Sequence, residues 1–258
     1  MVRFTILILV GILMGIFTML TGGGAGAAYV SILTIFFNVS PEIAVTTSLA
    51  TMFPTAVVSS FIHARNSTIN YRIGWIMLGW GIIGTLIGSY YSRDIPVKYY
   101  NTLIGVVILL LTLLMIIKKR KPAPQKEKQV KSRSLQFFQA GFFGVISGIL
   151  SGFVGTSGTT SIITGLVLLG CSTLQTVGTT VFVLSGLSLT GFLLRVGYGT
   201  VNWQLTSILV GSAVIGAFLG MLLLKKVIIK DSTSSDNKVI DTLIIVGNLA
   251  IGIASILK

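Results

Sequence analysis

Six side-chain carboxylates, one histidine and one cysteine are all the conventional acid–base and nucleophilic groups in the chain, apart from its lysines, tyrosines and aliphatic hydroxyls. Glu42, Asp94, Glu127, Asp231, Asp236 and Asp241 fall in polar loops or at the ends of apolar runs, and none lies mid-run. His63 and Cys171 stand alone, so neither a Cys/His metal cluster nor an intrachain disulfide can form. Catalysis needs nucleophile, acid and base in mutual reach; with no paired carboxylate and no nucleotide loop, neither an enzyme nor a cofactor is expected. What the apolar runs do carry is glycine and hydroxyl. Thr21-Gly22-Gly23-Gly24-Ala25-Gly26 interrupts one run and Gly155-Thr156-Ser157-Gly158-Thr159-Thr160 another, while Thr46-Thr47-Ser48 and Thr179-Thr180 open two more. Backbone N–H groups at a helix break, together with hydroxyls, can hold an anion inside a membrane without burying a fixed charge. A cation would lack a counter-charge there, and the intramembrane carboxylates that carry protons in many pumps are missing.

Each feature has a plainer alternative. Small residues let membrane helices touch, and packing is the expected role of Gly11/Gly15, Gly84/Gly88 and Gly216/Gly220. Gly22, Gly23 and Gly24 are assigned to the site because an unusually short apolar segment follows them. Hydroxyls at Thr46, Thr47, Ser48, Thr156, Ser157, Thr159, Thr179 and Thr180 can bind substrate or bond back to their own helix. His63, Arg65 and Arg195 can gate an anion's path or rest among lipid headgroups at a span end.

The elements that must position these groups follow from composition. Of 258 residues, 53% are hydrophobic and 10% charged, against about 25% charged in soluble domains. Several apolar runs approach the ~20 residues that cross a bilayer, so the chain is expected to be a multi-pass cell-membrane protein. The opening MVRFTILILVGILMGIFTML is read as a retained first span, not a cleaved leader. Net charge is +13, but residues 118–133 hold eight of the 19 basic residues. A basic loop between membrane blocks marks the cytoplasmic side, and with no aromatic–basic platform beside it nucleic acid is not an expected partner.

The chain also repeats itself. A shift of 132 residues sets Gly23 on Gly155, Gly26 on Gly158, Val45 on Val177, Thr47 on Thr179, His63 on Arg195, Thr68 on Thr200 and Asn70 on Asn202. The expected division is residues 1–117 as a first membrane repeat, 118–134 as a linker and 135–258 as a second repeat. Five apolar segments per copy are expected: 4–20, 27–38, 43–62, 73–92 and 98–117, then 136–152, 158–170, 174–194, 203–224 and 239–257. Five is odd, so the expected fold is all-α, with two inverted repeats containing short broken or re-entrant helices. The thin scatter of charge on the other side of the membrane puts both termini outside the cell.

Asn38-x-Ser-Pro-Glu-x-Ala44, Thr46-Thr-Ser-Leu49 and His63-x-Arg-x-x-x-Ile-Asn-Tyr-Arg72, set behind a glycine-rich break, resemble the sulfite exporter TauE/SafE family across nearly the whole chain. The resemblance implies a permease for small sulfur-containing anions such as sulfite or two-carbon sulfonates (sulfoacetate). An anion channel or a carboxylate permease of the same fold is the alternative. Expected partners are a small anionic substrate and the lipid bilayer, with a homodimer left open. The sequence departs from the family pattern at Ala25, at the hydroxyl-rich second break, and at Ser67, where the family usually has glycine.

Overall fold

A computed structural model describes residues 2–91, 133–155, 158–197 and 201–230, with scattered residues of 106–117 and 240–253. Thr156, Ser157, residues 118–132 of the linker and much of both fifth segments lie outside the described residues. Every labelled element is an α-helix: α1 (Val2–Thr21), α2 (Gly26–Phe36), α3 (Pro41–Arg65), α4 (Tyr71–Tyr91), α5 (Arg133–Val154), α6 (Thr159–Leu168), α7 (Thr173–Val196) and α8 (Trp203–Lys230). Among the described residues six helices, α1, α3, α4, α5, α7 and α8, are long and apolar enough to cross a membrane. The chain is an all-α membrane protein.

The two short helices behave differently. α2 has 11 residues and α6 has 10, about 15 Å at 1.5 Å per residue, half of a ~30 Å hydrocarbon core. The ends of α1 and α3 meet where His63 Nε2 faces the Met19 carbonyl at 3.3 Å, and Leu7 early in α1 shares a cluster with Ala44 early in α3 and Leu33 late in α2, so α1 and α3 run in parallel and α2 doubles back between them. One expected boundary moves. Residues 225–230, read as the start of a loop, continue α8; Lys-Lys-Val-Ile-Ile-Lys contains no residue that stops a helix.

Packing joins the copies more than it fills each one. α4 and α5 run in parallel with their small residues in contact: Gly144 against Met77, Gly148 against Gly81 and Thr85, Gly152 against Thr85 and Ser89. α1 and α8 do the same, Gly11 against Ser212, Gly15 against Ala213 and Ala217, Gly220 against Ile16 and Met19. The expectation that Gly11/Gly15, Gly84/Gly88 and Gly216/Gly220 serve packing agrees with the contacts: Gly15, Gly84, Gly88 and Gly216 lie on a neighbour's backbone, and Gly11 and Gly220 on the Ser212 and Met19 side chains. α3 crosses α7 antiparallel: Gly191, late in α7, lies on Leu49, early in α3, while Gly178, early in α7, lies on Thr68, just past α3. Two mirrored apolar clusters flank this crossing. One gathers Leu7, Tyr29, Leu33, Met52 and Leu209, the other Met77, Phe143, Ile162, Leu166 and Leu187.

The same contacts revise the repeat register. Gly15 and Gly148 play one role, and Gly22 and Gly155 another, each a left-handed glycine (φ 67° and 69°) closing its helix. The shift is therefore 133 through the first helix and the break, where sequence alone pairs Gly23 with Gly155 and Gly26 with Gly158. It returns to 132 because α6 is one residue shorter than α2. β-branched Val154 is ill suited to positive φ, so α5 runs one residue further before it turns.

Ser67, where the family that the sequence resembles usually has glycine, has φ 52°. A non-glycine residue pays for that conformation, so Ser67→Gly is expected to raise stability by about 1 kcal/mol, measured as a higher melting temperature in detergent.

Candidate functional site

The two breaks meet at the α3–α7 crossing. The Gly24 N–H donates to Thr159 Oγ1 at 3.2 Å, linking break to break across 135 residues. Ser48 Oγ donates towards two carbonyls, Gly26 O at 3.2 Å and Gly155 O at 3.3 Å, one from each copy. Gly22 lies against Val177 and Thr180, and Gly155 against Val45. Gly22, Gly23, Gly24, Thr46, Thr47, Ser48, Thr159, Thr179 and Thr180 are all buried.

Their hydroxyls divide by partner. Thr46 Oγ1 donates to Glu42 O at 2.9 Å and Thr180 Oγ1 to Thr176 O at 2.7 Å; both bond back to the preceding turn of their own helix. Thr179 Oγ1 accepts the Asn70 N–H at 2.9 Å, and Thr47 Oγ1 lies 3.5 Å from Thr206 Oγ1. These two threonines, equivalent in the repeat, reach into the start of a helix in the other copy. The repeated asparagines gain a physical reason there. Asn70 Oδ1 accepts from Ile73 N (3.3 Å) and Asn202 Oδ1 from Leu205 N (3.1 Å), so each asparagine N-caps its helix. Sequence showed these asparagines as a repeat but not as caps.

His63 and Arg195 are equivalent in position and in task. Arg195 Nη2 donates to Gly152 O (2.8 Å) and Phe153 O (3.1 Å), the last carbonyls of α5. His63, fully buried, places Nε2 at the Met19 carbonyl near the end of α1 and Nδ1 2.9 Å from Thr68 Oγ1. Each ties the end of its copy's first helix to the end of its third. The Arg195 guanidinium suits a helix C-terminus, where carbonyls are left without intrahelical donors, and a ring N–H of His63 can serve the Met19 carbonyl in the same way. Arg65 is exposed, with its guanidinium 4.5 Å over the Phe61 ring, which fits a span end at the headgroups.

Helix starts distinguish the interior from the surface. α4 and α8 carry asparagine caps and α7 a Ser172–Gln175 capping box. α3 begins behind exposed Ser40 with Pro41, which has no N–H to satisfy. The α2 and α6 starts are buried, yet neither Ala25 nor Gly158 supplies a side-chain cap. At α6 the Ser161 N–H turns back to the Gly158 carbonyl at 3.1 Å. The described residues contain no cluster of three or more His, Cys, Asp or Glu side chains that could hold a metal.

Among the described residues, six helices long enough to cross a membrane and two half-length helices with buried starts fit the architecture of a membrane transporter. The family model described as "Sulfite exporter TauE/SafE" matches residues 7–254, and the chain belongs to that family. Among relatives, it is 30% identical over 233 residues to the "Probable membrane transporter protein YdhB" of Bacillus subtilis, covering 88% of this chain and 94% of that one. It is 26% identical over 244 residues to the "Probable membrane transporter protein YunE" of the same organism, covering 86% and 89%. An archaeal relative, "Probable membrane transporter protein MJ0441" of Methanocaldococcus jannaschii, is 34% identical over 104 residues, 38% of each chain.

Proposed function

We propose that the chain moves small sulfur-containing oxyanions, sulfite or a two-carbon sulfonate such as sulfoacetate, out of the cell, binding them between the two breaks. The observation that carries this reading is the pair of buried, side-chain-free helix starts joined by the Gly24–Thr159 hydrogen bond. Helix starts favour an anion through the helix dipole and the direction of their N–H groups. The family's description names sulfite. A sulfonate is fully ionised at neutral pH and needs donors, not a proton acceptor. An inside-negative potential favours its exit by about 2.3 kcal/mol per charge per 100 mV, so export requires no coupling ion. Thr47 and Thr179, reaching across the copies, are the hydroxyls closest to this role.

A thermal-shift screen of purified protein with sulfite, sulfate, thiosulfate, sulfoacetate, taurine and acetate tests the reading. Saturating sulfite or sulfoacetate is expected to stabilise by about 2–3 kcal/mol at a hundredfold excess over Kd. Silence from all six anions would sink the proposal. A dominant acetate shift would point to a carboxylate permease, and flux into liposomes without saturation to a channel.

The copies are read as an inverted pair, with the 118–134 linker cytoplasmic and both termini outside. The antiparallel α3–α7 crossing supports this, because the two helices are repeat equivalents. In this arrangement Cys171, in the α6–α7 turn, faces the cytoplasm. Burial pushes its thiol up to about 11, so it stays protonated at neutral pH and reacts slowly. Impermeant maleimide is expected to label Cys171 in inside-out vesicles and not in intact cells; labelling of intact cells would reverse the orientation.

A further inference from the structure

His63 and Arg195 stand at equivalent places, but only His63 can gain and lose a proton near neutral pH. It is the chain's one histidine and is fully buried. Both ring nitrogens are engaged, Nε2 with the Met19 carbonyl at 3.3 Å and Nδ1 with Thr68 Oγ1 at 2.9 Å. Thr68 Oγ1 also lies 3.0 Å from the His63 carbonyl oxygen, and the Thr68 N–H donates to the same carbonyl at 3.2 Å. The hydroxyl therefore has two acceptors in reach and serves either state of the ring. With a neutral ring, Nε2–H donates to the Met19 carbonyl and the Thr68 hydroxyl donates to Nδ1. With an imidazolium, Nδ1–H donates to Thr68 Oγ1, and the hydroxyl turns to the His63 carbonyl. No heavy atom has to move between the two. Thr68 is half-buried and follows exposed Asn66 and Ser67, so one hydroxyl separates the buried ring from the loop surface.

We infer that His63 is a proton-binding site linked to the anion site: an anion at the first break brings a proton onto the ring, and a proton there tightens the anion. This inference rests on the proposed anion site and adds a second ligand to it. A proton from water enters at Thr68 Oγ1, whose own proton passes to Nδ1. The one described carboxylate, Glu42, lies at the opposite end of α3 and cannot neutralise the charge. α1, α6, α7 and α8 gather around this end through Met19, Ile163, Val177 and Leu224. Among their described side chains the one charged group is Arg195, at the far end of α7. Arg65 rests over Phe61, Tyr71 and Arg72 past the loop are exposed, and Tyr29 of α2 packs with Leu7 in another cluster. A buried cation without a partner is unfavourable, and an anion at the first break is a partner. Met19 precedes Gly22 by three residues, so ring and break stand on the order of 10 Å apart. Linkage makes the two effects equal. In the orientation proposed above the α3–α4 loop is cytoplasmic, so capture from that side tightens as the cytoplasm acidifies.

The test is sulfoacetate binding to purified wild type, His63→Gln and His63→Arg between about pH 8 and about pH 6, where an imidazole titrates and both acidic groups of the ligand stay ionised. Wild-type Kd is expected to fall about tenfold towards the acid end, the effect of one unit charge at that separation. His63→Gln should bind weakly and His63→Arg tightly, both without a pH slope. Calorimetry in two buffers of different ionisation enthalpy should show a fraction of a proton taken up per anion by wild type, and none by either variant. If wild type binds no sulfoacetate at any pH, the anion-site reading falls and this inference falls with it. If wild type binds with a level Kd and no proton uptake, only the proton site falls. A slope that survives in His63→Gln would place the proton elsewhere and also overturn it. Proton uptake by wild type needs no variant, so it decides the matter even where a substitution beside Met19 prevents folding.

Discussion

Gly148→Leu is expected to abolish the folded protein, whereas leucine at Gly79 or Gly211 should be tolerated. A Cβ at Gly148 would strike the Gly81 carbonyl, with the Thr85 backbone nitrogen 2.8 Å away. Both obstacles are helix backbone, which cannot turn aside as a side chain can. The α4–α5 pair would have to separate along its whole length, breaking the contacts at Gly144 and Gly152 as well. Overpacking costs about 1–3 kcal/mol where side chains can adjust; here the loss should exceed that range and read out as aggregation in size-exclusion chromatography. At Gly79 and Gly211 a Cβ would meet nothing within 4 Å, and both positions are exposed on the outer, lipid-facing surface. Leucine there changes neither contact nor span hydropathy for the worse. Equal outcomes at Gly148 and Gly211 would refute the interface.

Arg195→Gln should lower stability by about 2 kcal/mol and weaken anion binding. Two hydrogen bonds from a guanidinium to the Gly152 and Phe153 carbonyls hold the α5 end, and bonds to a charged group are worth about 1.5–3 kcal/mol each before solvent screening. Arg195 is half-buried, so the lower part of that range applies. Break two begins two residues beyond Phe153, and its geometry depends on where α5 stops. Arg195→Lys should recover only part of the loss, since an ammonium lacks the planar fork that spans two carbonyls. Melting curves and sulfite titrations of both variants check this. Wild-type behaviour of Arg195→Gln would leave the α5 end held by something else.

Much of this architecture was legible because membrane helices advertise themselves. Runs such as 73–92 and 174–194 mark α4 and α7 within a few residues, and the brevity of 27–38 and 158–170 announces α2 and α6. Other features have no sequence signature. His63 and Arg195 align as equivalents, but their acceptors are main-chain carbonyls, which every residue has. The one-residue register change is hidden because glycines fall on glycines in either register. Only the left-handed turn at Gly22 and Gly155, with the shorter α6, reveals which pairing the fold uses. Asn70 and Asn202 read as a repeated word whose meaning, a cap beside the other copy's threonine, needs three dimensions.

The cross-copy seams also set a timetable for biogenesis. Gly11 rests on Ser212, so the α1 seam stays open until some 200 more residues have left the ribosome. At about 5–20 residues per second that wait is on the order of 10–40 s. Throughout it the notched face of α1 lies against lipid or an insertion factor, while α4 and α5 pair much earlier. The newborn protein therefore zips from its middle outward, and a ribosome that stalls before α8 leaves the first helix without its mate.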